Sequence, residues 1–262
     1  AAINSFGTTN IYEKMASRNH TENMIKNNKE VFKIIKNDHL KIYGKKSLEN
    51  FKIQIPNDPS SAAFFAALTL LNEKSTLKIK SVGLNPRRIG FYKTLKKSGA
   101  RIYMKNKKTM NGEIVGDLIV KSSKLRPIFS PAKDFSSMVD EFPILFVIAA
   151  LTPGKSVFKG LEDLKNKESD RVNEMKKIIQ KLGVPFVYRK GTVQIKGAKK
   201  KDYKDKTLKV PNLKDHRICM SASVLALISG AQTSIKNFET VFTSSPSFLK
   251  IIKQLGGKFE KK

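Results

Sequence analysis

Apolar residues in this chain come in blocks whose spacing alternates between helical and strand-like periods, and one succession of blocks recurs three times. Each time an acidic residue opens an apolar helix, a short strand follows, and a second helix closes at a glycine. Asp58 and Gly99, Asp140 and Gly183, and Asp215 and Gly256 bracket the units, the glycine standing 41, 43 and 41 positions after the acid. Self-similarity at a long, even period speaks about architecture more strongly than a single motif does. In the first unit the pattern predicts a helix over 60–71, a strand over 76–82, a helix over 88–98 and strands near 101–104 and 118–121. Pro59 suits a first helical position, where its missing N–H would be unpaired anyway. The second unit predicts a helix over 141–151, a turn at Pro153-Gly154, a strand over 156–159, a helix over 171–182 and strands over 186–188 and 193–195. The third predicts a helix over 217–228, a strand over 233–237 and a helix over 247–255.

Residues 1–55 enter this frame late. A turn and strand over 7–12, a helix over 20–28 and strands over 31–35 and 40–43 read as the back half of a fourth, truncated unit, joined to the rest by the turn-rich Pro56-Asn57-Asp58-Pro59. The expected organisation is therefore the end of one lobe, residues 1–55, followed by a lobe of three βαβαββ-like units, residues 56–262. The class is mixed α/β (α+β). Such units bury their apolar helices together by packing around a common axis, with sheets outside and helix ends converging.

Composition narrows the chemistry. A chain of 262 residues with 40% hydrophobic content can bury a sizeable core. Its 51 basic against 22 acidic residues give a net charge of +29, which raises a nucleic-acid partner as one reading. Lys, however, is spread through nearly every segment, without the Arg clusters and interleaved aromatics of a dedicated nucleic-acid surface. A generally Lys-rich proteome or small anionic ligands fit that distribution better. The run Lys199-Lys200-Lys201-Asp202-Tyr203-Lys204-Asp205-Lys206 reads as a solvated loop. A single cysteine, Cys219, excludes an internal disulfide and suits a reducing, cytoplasmic compartment; its apolar helical setting makes it a buried, inert thiol. Three histidines argue against a His-based metal centre. The longest apolar run, 142–151, falls short of the roughly 18 to 20 residues of a membrane span. The opening Ala1-Ala2-Ile3, without Met, reads as the interior of a longer chain.

Two charged clusters distinguish the units. The second carries Lys167-Glu168-Ser169-Asp170-Arg171 at a strand-to-helix junction, and the third opens with Asp215-His216-Arg217. Ser169 or Asp170 serves as a helix cap in the plain reading, and Asp58, Asp140 and Asp215 each suit a first-helix N-terminus. Asp58, with no other charge near it in sequence, reads as a cap alone. Asp140 is followed by Glu141, a pair that also suits the helix dipole. Yet Arg171 and Arg217 both fall beside helix N-termini, where backbone N–H groups assist anion binding. His216 adds an imidazole able to move protons near neutral pH. Together these residues suit a small, multiply anionic substrate held by Lys and Arg, with carboxylates for proton transfer.

With Asp140-Glu141-Phe142-Pro143, Lys167-Glu168-Ser169-Asp170-Arg171 and Asp215-His216-Arg217 in this order, the chain resembles the EPSP synthase family, the glyphosate-inhibited 3-phosphoshikimate 1-carboxyvinyltransferases. Ser17-Arg18-Asn19-His20-Thr21-Glu22, Asp58-Pro59-Ser60-Ser61-Ala62-Ala63, Gly83-Leu84-Asn85-Pro86-Arg87-Arg88 and Thr243-Ser244-Ser245-Pro246 extend the resemblance over nearly the whole length. Each tripeptide alone is weak; the combination is specific. The spacing of 28 residues from Asp140 to Glu168 also agrees.

The resemblance implies an inside-out α/β barrel, two lobes each of three βαβαββ units, with the first lobe truncated here. It implies transfer of the enolpyruvyl group from phosphoenolpyruvate to the 5-hydroxyl of shikimate 3-phosphate, by a monomer that needs no cofactor or metal, no nucleic acid and no membrane. Carried over, Asp140 deprotonates the hydroxyl, Glu168 transfers the proton at the methylene carbon, and His216 supports the arginine clamp. Ser17, Arg18, Asp140 and Lys167 would meet shikimate 3-phosphate, and Lys167, Arg171 and Arg217 phosphoenolpyruvate. Thr243 stands where some members place a Lys, and Ser245 where an aromatic is usual. The family's N-terminal Lys-Ser and Arg motifs are absent, so these 262 residues alone are expected to be inactive or nearly so. The rival readings are the related transferase acting on UDP-N-acetylglucosamine and a basic, non-catalytic nucleic-acid-binding module, whose binding would fall steeply with salt and ignore Asp140.

Overall fold

The structure is a computed structural model that describes residues 1–14, 17–36, 38–50, 52–198, 203–211 and 213–260. The chain opens with β1 (Thr8–Tyr12), α1 (His20–Ile25), β2 (Phe32–Lys36) and β3 (His39–Tyr43), and β3 lies between the other two strands in an antiparallel sheet. Ile25, Val31 and Phe32 form a small core of their own, with Ile3, Leu40 and Ile42 against it.

The first of the three recurring units contains α2 (Pro59–Leu71), β4 (Thr76–Gly83), α3 (Gly90–Lys97), β5 (Arg101–Met110) and β6 (Glu113–Lys121), with sheet order β4-β6-β5. The second contains β7 (Phe129–Ser130), α4 (Phe142–Ala150), β8 (Gly154–Phe158), α5 (Arg171–Gln180), β9 (Phe186–Arg189) and β10 (Thr192–Gly197), in order β7-β8-β10-β9. The third contains β11 (Thr207–Val210), α6 (His216–Ser229), β12 (Gln232–Ile235) and α7 (Phe248–Gln254), and β11 pairs with β12 in parallel.

Each unit's first helix is the buried one. Every residue of α4 is buried, as are nearly all of α2 and most of α6, whose remaining residues are half-buried, as expected of helices that are largely apolar on all sides. These three touch one another pairwise, while the sheets lie against their outer faces. One continuous core runs from Ala62 to Ile252 through all three units. At its centre Phe146 packs edge-on against Phe158 and Phe186, with ring centroids 5.3 and 5.4 Å apart, a geometry that adds to the area buried. The second helices end where the pattern placed glycines: Gly99, Gly183 and Gly256 have φ of 95°, 75° and 88°, a left-handed conformation that a side chain would strain.

The differences from the sequence reading have local causes. β5 and β6 are far longer than the apolar tips at 101–104 and 118–121, because the polar outer half of the hairpin carries no alternation; Asn111-Gly112, with φ of 49° and 81°, supplies its tight turn. β7 and β11 were not expected. Each is short and runs parallel to the strand that follows the unit's first helix. The helix expected from 88 begins at Gly90, leaving Arg88 in the preceding turn. In the Lys-rich run, residues 199–202 lie outside the described residues, and Tyr203, expected in a solvated loop, is buried at 8% exposure. No helix among the described residues is long and apolar enough to cross a membrane.

Candidate functional site

The starts of α2, α4 and α6 are brought together by the packing of these helices. Asp58 caps α2, accepting from the backbone N–H of Ser60 at 3.2 Å and of Ser61 at 2.9 Å. Asp215 caps α6, accepting from the N–H of Arg217 at 3.0 Å. Asp140 departs from this role. It lies in a 3-10 turn, Val139–Glu141, and caps nothing.

Its carboxylate is instead enclosed by three guanidinium groups from distant parts of the chain. Arg18 donates from Nη2 to Oδ2 at 2.5 Å, Arg217 Nη2 lies 3.5 Å from the same oxygen, and Arg171 Nη1 lies 3.6 Å from Oδ1. Burial pushes the Asp140 carboxyl up, but Arg217, Arg18 and Arg171 together outweigh it and hold its pKa below the usual range. Asp140 is therefore ionised and a weak base while the arginines keep their places.

Arg171 is the hub of the cluster. It is 1% exposed and faces three carboxylates: it donates from Nε to Asp215 Oδ2 at 3.0 Å, from Nη2 to Glu168, and approaches Asp140. Asp215 is fully buried and also accepts from the Ser169 hydroxyl at 2.9 Å. A buried charge needs such pairing to persist. Asp170 caps α5 through the N–H of Asn173 at 3.0 Å, so within the Lys-Glu-Ser-Asp-Arg segment Asp170 is the helix cap and Ser169 serves Asp215. Lys167 and Glu168 are exposed. His216 is partly buried, and its Nε2 has no hydrogen-bond partner among the described residues. Burial first, then Arg217 and Arg171, lower its pKa, so the imidazole is neutral at pH 7.

The structure thus brings Asp140, Arg18, Arg171, Arg217, Glu168 and His216 to one place. Ser17 is not drawn in: its hydroxyl donates to Glu13. Cys219 is buried, and burial pushes its thiol up to about 12, as suits an inert residue.

Several residues escaped the sequence reading. Asp58 is not without charge nearby, since Arg88 donates to it at 2.9 Å and to the Ser60 hydroxyl at 2.8 Å. The segment before residue 55 is tied to the rest by Arg18 and also by His20 Nδ1 at 2.7 Å from Glu113, by Asn85 donating to Asn19 at 2.8 Å, and by Arg87 donating to the Ser17 carbonyl at 2.9 Å. In sequence these ties show only as the two separate motifs Ser17-Arg18-Asn19-His20 and Asn85-Pro86-Arg87-Arg88, whose pairing appears once α1 lies beside the turn before α3.

The chain is similar to known proteins along nearly its whole length. The family model described as EPSP synthase (3-phosphoshikimate 1-carboxyvinyltransferase) matches residues 1–252. A 3-phosphoshikimate 1-carboxyvinyltransferase of Zymomonas mobilis is 38% identical over 265 residues, covering 99% of this chain and 58% of that protein. An EPSP synthase structure from Acinetobacter baumannii superposes with a TM-score of 0.82 at 30% identity, covering 97% of this chain and 57% of the other. An enolpyruvyl transferase of Streptomyces tendae, at 15% identity and a TM-score of 0.69, shares the fold. This chain therefore spans somewhat under three fifths of the length of these relatives.

Proposed function

Because the chain belongs to the EPSP synthase family, we propose that it supplies the second lobe, and the end of the first, of an enzyme that transfers the enolpyruvyl group from phosphoenolpyruvate to the 5-hydroxyl of shikimate 3-phosphate. The observation that carries this reading is the single carboxylate, Asp140, enclosed by Arg18, Arg171 and Arg217. Two anionic substrates entering such a cage compete with Asp140 for the arginines. As the guanidinium groups turn to phosphate and carboxylate, the restraint on the Asp140 pKa is lifted, and it becomes a stronger base once both substrates are bound.

In the reaction, the 5-hydroxyl oxygen bonds to C2 of phosphoenolpyruvate as its proton passes to Asp140, and Glu168 delivers a proton to C3. The tetrahedral intermediate then returns a proton from C3 to Glu168 while its C2–O bond to phosphate breaks and the departing phosphate takes the proton held by Asp140, which yields the enolpyruvyl ether and inorganic phosphate. Glu168 is the exposed partner of Arg171, so it can leave that contact when an anion takes the guanidinium. Arg171 and Arg217 hold the phosphoenolpyruvate anion, the neutral His216 backs Arg217, and Lys167 meets the phosphate groups. Ser17 and Arg18 bring the first lobe onto shikimate 3-phosphate, with Ser17 released from Glu13. Preorganised cations of this kind stabilise charge that develops in the transition state.

Two separate cores, one before residue 55 and one after, support a division into lobes there. The same reading takes the complete protein as a cytoplasmic monomer without nucleic-acid partners, its lobes closing over substrate. The test is phosphate release by the complete two-lobed protein given phosphoenolpyruvate with either shikimate 3-phosphate or UDP-N-acetylglucosamine. Turnover with the first acceptor and none with the second is expected, as is silence from residues 1–262 alone. Release only with the nucleotide sugar would overturn the assignment.

A further inference from the structure

Directly beside the arginine-caged Asp140 is a second carboxyl that the reaction does not use. Glu141 is 3% exposed, and its Oε1 has no hydrogen-bond partner among the described residues. Glu141 is the N-cap residue of the fully buried α4, yet its side chain makes no capping bond to that helix. Its turn packs against α2 instead, whose Ser60 lowers the pKa of the carboxyl. Ser60 in turn accepts from Arg88, which also pairs with Asp58. Asp58, Arg88 and Ser60 are thus joined to one another in the first unit, beside the turn that carries Asp140 and Glu141.

We propose that Glu141 is a positioning residue for Asp140: as a neutral acid it leaves Arg217 to Asp140, and as a carboxylate it draws Arg217 away and loosens the arginine cage. This rests on the assignment of Asp140 as the base. Arg217 is the group that links the two acids, since it approaches Asp140 Oδ2 and donates from Nη1, at 3.4 Å, to the carbonyl of the peptide that joins Asp140 to Glu141; its charge also acts on Glu141.

Every charged or titratable group around Glu141 has a defined place. From α2 come Ser60 and the capping Asp58, and from the turn before α3 comes Arg88. Tyr92 of α3 is buried, its hydroxyl donating to the Pro59 carbonyl at 2.6 Å. Asp140 is the sequence neighbour, and Arg217 comes from the start of α6. Burial pushes the Glu141 carboxyl up to about 7, with Asp140 adding to the rise and Ser60, Arg217 and Arg88 opposing it. The proton is therefore held or released within the range where enzymes work. The sign follows: between the ordinary glutamate value of 4.5 and about 7 the folded chain keeps a proton that the unfolded chain loses. Folding stability consequently falls as pH rises through that window, and the loss is complete above it.

The experiment is a carboxyl 13C NMR titration of residues 1–262 from pH 4 to 9, read together with the Arg217 side-chain 15Nε signal, for the native sequence and Glu141→Gln. One glutamate signal is expected to titrate near pH 7 and to vanish in the variant. Arg217 is expected to step with the same midpoint in the native chain and to stay flat in the variant. A Glu141 midpoint in the ordinary carboxylate range, or a step at Glu141 that Arg217 does not follow, would overturn the proposal. The native titration decides the matter even where the variant folds poorly. Because no substrate is present, failure here is distinct from failure of the enolpyruvyl reading, which would silence phosphate release and leave the titration intact.

Discussion

At the scale of single residues, charge is organised around one buried pair. Arg171, 1% exposed, and Asp215, fully buried, satisfy each other at the centre of the cluster, and removing one leaves the other as an uncompensated charge in the interior. Arg171→Met is accordingly expected to destabilise the chain by about 3–5 kcal/mol, read as a fall in the urea midpoint. Arg217→Ala, at a partly exposed position, is expected to leave that midpoint nearly unchanged; equal losses in the two variants would contradict this division of roles. Much of the site was legible in sequence, because acidic and basic residues stood in short motifs at helix starts. What sequence could not supply was pairing across the fold. Asp140 reads as a cap beside Glu141, and only the arrival of Arg18 from 122 residues away makes it a caged carboxylate. Glu141 reads as a dipole-friendly acid, and only burial makes it a titrating one.

At the scale of elements, the three units differ in how their sheets are completed. β8 is flanked by β7 on one side and β10 on the other, whereas β12, in the corresponding place, pairs among the described residues with β11 alone. Gln232 and Lys236 donate their amides toward the β11 side at 3.0 and 3.1 Å, so the intervening odd-numbered amides, Thr233 and Ile235, point to the open edge. That edge borders a groove of about 750 Å³ between α6, α7 and the C-terminal residues. Hydrogen exchange at Thr233 and Ile235 is expected to be at least about tenfold faster than at Val193 and Ile195 of the central β10; matched protection would mean that something covers the edge. The buried helices were readable from long apolar runs and from the glycines that end α3, α5 and α7. The outer half of the β5–β6 hairpin and the short strands β7 and β11 were not. The hairpin carries Lys and Asn on both faces, and two to four residues hold too little period to separate a strand from a loop.

For the whole molecule, the proposed function has a three-unit lobe and the end of another meeting so that Asp140 can take a proton while arginines from both hold two anions. The joint is polar: Arg18 to Asp140, His20 to Glu113 and Arg87 to the Ser17 carbonyl link segments with separate cores, as suits a contact that opens and closes around substrate. The most direct test compares phosphate release from shikimate 3-phosphate plus phosphoenolpyruvate by the complete two-lobed protein and by its Asp140→Asn variant. With phosphoenolpyruvate binding retained, the variant is expected to lose at least about a hundredfold in turnover. Undiminished turnover in Asp140→Asn would contradict the account at its centre.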